Sequence, residues 1–105
     1  ERALKSRQRQ MSDVLTREAW LACMLIVRGW RQVEGTIRRS FRFADFHQTM
    51  AFVNAVAWIA HVEDHHPDMT VTYNRCDIAW STHSVGGLSP NDFICAAQVD
   101  GTGYG

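Results

Sequence analysis

The stretch from Phe46 to about Glu63 or Asp64 most constrains the fold, because it is the longest segment of the chain with one periodicity. Asp45 can cap its first turn, Pro67 forbids its continuation, and its apolar residues recur at helical spacing. They are Phe46, Met50, Val53 and Ala57 on one side, Phe52, Val56 and Ile59 beside them, and Trp58 further round. One sheet face cannot cover so much apolar surface, so we expect this helix to have a second partner, preferably another copy of the chain.

Shorter elements flank this helix. In chain order they are a helix between Thr16 and Gly29, strands over 30–34 and 36–43, strands over 69–73 and 76–80, and a last helix from Pro90. Gly35 is a hairpin signal, and Ser89-Pro90-Asn91-Asp92 is a helix start with a cap and a proline at the first helical position. The order predicts an α+β fold, a four-stranded antiparallel sheet with three helices packed on one face.

The 105 residues suffice for one domain, which we expect over residues 14–100. Residues 1–13 have no convincing period and residues 101–105 are rich in glycine, so both are expected to be flexible tails. Eleven basic residues balance eleven acidic ones. A neutral chain has no long-range field to attract nucleic acid, so direct nucleic-acid binding is not expected.

Three cysteines, Cys23, Cys76 and Cys95, lie among apolar neighbours and form no C-x-x-C pair. Their odd number and surroundings predict buried free thiols in a reducing compartment. No apolar run approaches the about 18 residues that span a membrane, and no secretory signal is recognisable. The expected location is therefore the cytoplasm, with the nucleus as an alternative, and no membrane partner is expected.

Four of the five histidines lie between His61 and His83. Histidine can donate or accept a proton near neutrality and can bind metals, so this cluster indicates either proton transfer or a metal site. His61 and His65 stand at i and i+4 on one helical face, a spacing that zinc ligands use. Glu63, Asp64 or His83 could complete such a site. The zincin pattern H-E-x-x-H is absent, however, and no cysteine has ligand spacing, so a metal site is the less favoured interpretation.

Metal-free acid–base catalysis is the favoured interpretation of the same cluster. The helix ends here, so adjacent His65 and His66 point in different directions, and one of them can meet His83 across a cleft. Two or three imidazoles around a bound molecule suit a reaction that moves protons without a covalent intermediate, such as a dehydration or an isomerisation. The alternative is structural, since a cationic histidine at a helix C-terminus is favourable through the helix dipole.

Four motifs at matching intervals make the chain similar to a known family. They are His65-His66-Pro67, Tyr73-Asn74, Ser81-Thr82-His83, and Gly87-Leu88-Ser89 with Asp92. The series resembles the pterin-4a-carbinolamine dehydratases, also known as dimerisation cofactors of a hepatocyte homeodomain transcription factor. The resemblance runs from about Leu15 to Val99. It implies a four-stranded antiparallel sheet with three helices on one side, and a homodimer or homotetramer that packs through the long helix.

The resemblance also implies a reaction: dehydration of 4a-hydroxytetrahydrobiopterin to quinonoid dihydropterin, which recycles tetrahydrobiopterin for aromatic amino-acid hydroxylases. It implies no cofactor and no metal. Carried over residue by residue, the expected site contains catalytic His65, His66 and His83, substrate-binding His61, Pro67, Thr82, Ser84 and Val85, and Asp92, which either orients a histidine or caps the last helix. Which histidine is the acid and which the base stays open.

Two positions depart from the family pattern. Many members carry Glu where this chain has His61, and many carry an aromatic residue where it has Met69; we expect these changes to alter pterin affinity rather than the reaction. A second hypothesis is a protein-interaction module that stabilises a partner's dimer through the long helix, as a transcriptional coactivator does. A transcription-factor partner follows only from the resemblance.

Overall fold

The computed structural model describes residues 27–82 and 86–103, together with Glu18, Ala22 and Leu25. The elements are strands β1 (Arg31–Val33) and β2 (Thr36–Arg42), helix α1 (Phe46–Glu63), strands β3 (Asp68–Val71) and β4 (Arg75–Trp80), and helix α2 (Pro90–Asp100). The predicted α+β class and its four strands are confirmed. Two of the three predicted helices are α1 and α2. The predicted first helix lies largely outside the described residues, as do Cys23 and the tail over 1–13.

The four strands form one antiparallel sheet in the order β1-β2-β4-β3. The two hairpins therefore meet through β2 and β4, with Ile37 opposite Trp80 and Phe41 opposite Cys76. Side chains alternate between the two faces of a strand, so this register places all four of these residues on the same face. The alternate residues Cys76, Ile78 and Trp80 of β4 all face the core, since each is at most 1% exposed.

Both helices pack on this apolar face of the sheet and close the core. From α1 the core receives Phe52, Val56 and Ile59, and from α2 it receives Phe93, Cys95, Ala96 and Val99. The Phe52 ring lies 4.6 Å from that of Phe41 and 5.1 Å from that of Phe43, centroid to centroid. These tilted aromatic contacts bind the start of α1 to the end of β2.

Local signals at both ends of α1 determine its length. The Asp45 carboxylate accepts a hydrogen bond from the backbone N–H of Gln48 at 2.8 Å, which is the predicted cap. At the other end Asp64 has a left-handed backbone with φ of 53°. The outer side of α1 carries Trp58, which is 66% exposed, and Phe46, which is 49% exposed. The sheet and α2 thus leave part of the apolar circumference uncovered.

Polar contacts at Gln98 and Asp100 hold α2 against the rest of the fold. The Gln98 amide donates to the Glu63 carboxylate at 2.7 Å, which joins α2 to the last turn of α1. At the C-terminus of α2, Asp100 accepts from the Arg39 guanidinium at 2.7 Å and from the Trp30 indole at 3.0 Å. The Gln98–Glu63 contact lies near the end of α1, where the candidate site lies, whereas the Asp100 contacts hold the opposite end of α2 to the sheet.

Candidate active site

His65 lies immediately after the left-handed cap of α1. Its backbone N–H donates to the Ala60 carbonyl at 3.0 Å, so the chain leaves the helix in a defined direction. Pro67 follows and prevents the helix from continuing. The side chain of His65 is only 14% exposed. The end of the helix therefore delivers one imidazole into a nearly closed space between α1 and α2.

Asp92, in the first turn of α2, faces this imidazole. Its Oδ1 lies 2.6 Å from the Nε2 of His65, and the Asp92 side chain is fully buried. Its Oδ2 accepts from the backbone N–H of Ser89 and from the Thr82 hydroxyl, both at 2.9 Å. The Asp92 side chain thus caps α2 with one oxygen and holds His65 with the other. The two roles that the sequence left as alternatives are both present in the geometry.

The hydrogen positions follow from counting donors. Thr82 gives its only hydroxyl proton to Asp92, so the Ser89 hydroxyl is the donor in the 2.7 Å contact between the two hydroxyls. Oδ2 of Asp92 therefore accepts twice. When Asp92 is ionised, Oδ1 can only accept as well, so the 2.6 Å contact places the proton on Nε2 of His65 and leaves Nδ1 as the nitrogen that can accept one.

Such a histidine–carboxylate pair suits proton transfer. The carboxylate fixes the tautomer and the direction of the ring, and it stabilises the imidazolium that forms when Nδ1 takes a proton. Because Asp92 is buried, little solvent screens this interaction. The arrangement can therefore remove a proton from a bound molecule and hold it.

Trp80 lies against the flat face of the same imidazole. The two ring centroids are 5.6 Å apart and the planes differ by 13°, which is a stacked arrangement. Trp80 is fully buried, and no described residue accepts a hydrogen bond from its indole N–H. The alternating pattern of the strand over 76–80 predicts Trp80 as a core residue and no more, because nothing in a strand pattern shows which core residue lies beneath a site.

The other predicted site residues are distributed differently. His66 and His61 are exposed, and the His61 ring lies 5.6 Å from the ring of Trp58 on the outer side of α1. The structure does not bring His61 into the Asp92 network. Pro67 is half-buried beside His65, and Thr82 is buried within the network.

Predicted His83, Ser84 and Val85 lie outside the described residues. The structure defines both ends of the segment that contains them. Thr82 and Gly87 form an isolated antiparallel bridge, in which the Thr82 N–H donates to the Gly87 carbonyl at 2.8 Å. This segment therefore begins at the residue whose hydroxyl binds Asp92.

Within residues 27–82 and 86–103, no group of three or more His, Cys, Asp and Glu side chains is placed to hold a metal ion. A cavity of about 630 Å³ lies elsewhere, on the sheet face opposite α1 and α2, where Arg31, Arg38, Asp68 and Asp77 contribute to its lining. It does not include His65. The candidate site is instead identified by the His65–Asp92 pair, because the size of a cavity alone carries no chemistry.

Burial perturbs two thiols in the described part of the chain. It raises the pKa of the Cys76 thiol from an ordinary 9.0 to about 11, with a smaller contribution from the Asp77 carboxylate. Burial also raises the pKa of the Cys95 thiol, and the carboxylates of Glu63 and Asp92 add to this effect. Both thiols therefore stay protonated at neutral pH and are poor nucleophiles. The predicted burial of these two free cysteines is confirmed.

Comparisons with known proteins identify one family. Residues 10–102 match the family described as pterin 4 alpha carbinolamine dehydratase. A protein of Nitrosospira multiformis, provisionally named a pterin-4-alpha-carbinolamine dehydratase, is 56% identical over 82% of this chain and 76% of its own. A Xanthomonas campestris pv. campestris protein with the same provisional name is 58% identical over 87% of this chain and 80% of its own.

A solved structure has a similar fold. The crystal structure of a transcriptional coactivator/pterin dehydratase from Brucella melitensis superimposes with a TM-score of 0.80 at 32% identity, covering 85% of this chain and 97% of that one. The helices in the described part of this chain include none that is both long and apolar enough to cross a membrane.

Proposed function

Because the chain belongs to the pterin-4-alpha-carbinolamine dehydratase family of hydro-lyases, we propose that it dehydrates 4a-hydroxytetrahydrobiopterin to quinonoid dihydropterin. This reaction returns the tetrahydrobiopterin used by aromatic amino-acid hydroxylases to its cycle. The observation that carries the proposal is the buried His65–Asp92 pair, with 2.6 Å between Nε2 and Oδ1. It supplies a proton acceptor of defined tautomer, and it requires no metal.

The dehydration breaks the bond between the carbinolamine carbon and its hydroxyl oxygen. The hydroxyl leaves as water after receiving a proton, and the adjacent ring N–H loses its proton as a carbon–nitrogen double bond forms. In our proposal Nδ1 of His65 takes that ring proton, and Asp92 stabilises the resulting imidazolium. Help of this kind is typically worth about 10²–10⁴-fold in rate.

The proton for the leaving hydroxyl comes, in this proposal, from His66 or His83. His66 is exposed and adjacent to His65 in the chain, so it can approach the substrate from the solvent side. Thr82 gives its hydroxyl proton to Asp92, so we assign it to the support of the pair rather than to a side-chain contact with pterin. Pro67, Ser84 and Val85 remain the proposed pterin contacts, with His61 further out.

The test is the dehydration of freshly generated 4a-hydroxytetrahydrobiopterin, followed by absorbance in the presence of a chelator. The wild-type protein should accelerate the reaction, and His65→Ala should lose about 10²–10⁴-fold in kcat. His47→Ala is the matched control, because His47 is an exposed histidine of α1 outside the site. No acceleration by the wild-type protein would refute the proposed activity, and activity that the chelator abolished would refute a metal-free mechanism.

We also propose that the chain self-associates as a homodimer or homotetramer through the outer side of α1. Trp58 is 66% exposed there, and Phe46 and Ala57 are exposed further round the helix. An exposed Trp on a helix that also carries other exposed apolar residues is typical of an interface anchor. Trp58→Glu should reduce the mass measured by light scattering, whereas Gln32→Glu, which adds the same charge on an exposed position of β1, should not. A Trp58→Glu variant with wild-type mass would exclude this interface.

The same surface favours a second candidate function, that of a module which stabilises a partner's dimer. Trp58 offers a binding surface that the site does not use, and the Brucella protein is described as both a coactivator and a dehydratase. The two functions separate experimentally. His65→Ala should remove turnover and leave assembly intact, and Trp58→Glu should weaken assembly while the His65–Asp92 pair stays in place.

A further inference from the structure

We propose that Trp80 is a positioning residue for His65, an inference that rests on the proposed dehydratase function. The indole and imidazole are stacked with centroids 5.6 Å apart and planes 13° from parallel. Trp80 is itself fully buried, so it does not reach a substrate. Any effect of the indole on proton transfer must therefore act through the imidazole.

The hydrogen bond to Asp92 alone does not fix the direction of Nδ1. It holds Nε2 at 2.6 Å from Oδ1, but the ring can still rotate about the line that joins these two atoms. The terminal torsion of a histidine side chain is intrinsically broad, so packing has to select its angle. The flat indole face of Trp80 blocks this rotation from one side. The hydrogen bond and the stack together leave one direction for Nδ1, which is what proton transfer requires.

Core filling by itself does not account for tryptophan at this position. The Trp80 indole N–H is buried, and no described residue accepts its hydrogen bond. A buried donor without a partner is unfavourable. Phe or Leu would fill the inward position opposite Ile37 without introducing such a donor. Trp differs from Phe and Leu in having the broadest aromatic face. Such a face also attracts the imidazolium that His65 becomes during the reaction.

Two substitutions separate positioning from packing. Trp80→Phe keeps an aromatic face beneath the imidazole, and Trp80→Leu keeps apolar bulk without one. We expect Trp80→Leu to lower kcat by about 10–100-fold with KM changed less than about threefold, and Trp80→Phe to stay within about threefold of wild type in both. Trp30→Leu is the control: Trp30 is also a buried Trp, but its indole binds Asp100, so its loss should lower stability and leave kcat unchanged.

Proton NMR of the His65 ring gives a readout that does not depend on turnover. Ring current from a stacked indole moves the ring C–H resonances upfield, so this displacement should be present in the wild-type protein, reduced in Trp80→Phe and absent in Trp80→Leu. If Trp80→Leu does not fold, the displacement in Trp80→Phe still tests the stack.

The outcomes separate the two proposals. Wild-type kcat in a folded Trp80→Leu variant would overturn the positioning role, and so would equal losses of kcat in the Phe and Leu variants. A wild-type protein that is inert towards the pterin would refute the proposed function instead, and the upfield displacement would then still decide whether the stack orients His65.

Discussion

Replacing Asp92 by Asn should reverse the proton arrangement of His65 without changing the shape of the site. Both oxygens of the native carboxylate accept hydrogen bonds, one from His65 and the other from Thr82 and Ser89. An Asn side chain has one accepting and one donating group. The two donors opposite Oδ2, one of them a rigid backbone N–H, will keep the amide oxygen at that position. The amide NH₂ group must then face His65.

The kinetic consequence is large. Nε2 of His65 has to accept the amide hydrogen, so its own proton moves to Nδ1, which can no longer take a proton from the substrate. A histidine held in the wrong tautomer costs up to about 10⁴-fold in a comparable histidine–carboxylate system. We expect kcat of Asp92→Asn to fall by about 10²–10⁴-fold. KM should change little, because the carboxylate is buried beneath His65 and does not face the substrate.

The effect on stability should be moderate. All three hydrogen bonds to the native carboxylate are charge-assisted, and the variant keeps their geometry but makes them neutral, which costs about 1–3 kcal/mol in total. For a domain of this size each kcal/mol corresponds to a fall in Tm of about 4–8 °C. Asp92→Ala should be more destabilising, because it leaves the buried Ser89 N–H without its acceptor and opens a cavity.

The assay combines steady-state dehydration kinetics with nitrogen-15 NMR of the His65 ring, which distinguishes a protonated Nε2 from a protonated Nδ1. The expected result is a folded Asp92→Asn protein with low kcat and a proton on Nδ1. A folded variant with kcat within about threefold of wild type would refute the reasoning. So would a ring that keeps its proton on Nε2.

Two further predictions concern stability. Asp45→Ala removes the acceptor of the Gln48 N–H and should lower the free energy of unfolding by about 1 kcal/mol, measured by urea denaturation; an unchanged midpoint would show that this cap contributes nothing. The pKa of Cys76 is raised to about 11, so above about pH 9 the unfolded state releases a proton that the folded state retains. Stability should therefore be unaffected by this thiol below pH 9 and should fall by about 1.4 kcal/mol per pH unit as the pH rises towards 11. Cys76→Ala should flatten the wild-type fall by that amount, and identical slopes would contradict the assignment.

The helices illustrate what local sequence can predict. The bounds of α1 were predicted to within a residue, because the Asp45 cap and the Pro67 stop both act within one turn of the helix. The start of α2 was predicted for the same reason, from Ser89 and Pro90. Strand faces were also predictable, since alternation in β2 and β4 is a property of neighbouring residues.

The order of the strands was beyond the sequence pattern. Alternation shows which face of β4 is apolar but not that β4, rather than β3, lies beside β2. Pairing depends on contacts between residues far apart in the chain, and many pairings satisfy the same local pattern. The partner of Arg39 could not be predicted either, because Asp100 is 61 residues away.

In the candidate site, too, local sequence predicted some features and tertiary contacts decided others. Motif spacing selected His65 and Asp92 but left Asp92 between capping and orientation, and only the packing of α2 against the end of α1 shows that its two oxygens serve both. Trp80 carried no signal beyond that of a core residue. By itself the sequence determined the elements, their apolar faces and the residues with the necessary chemistry, since these follow from local periodicity and side-chain type. The tertiary structure alone decided which histidine meets the buried carboxylate and which aromatic ring lies beneath it, because those contacts join residues that only the folded chain brings together.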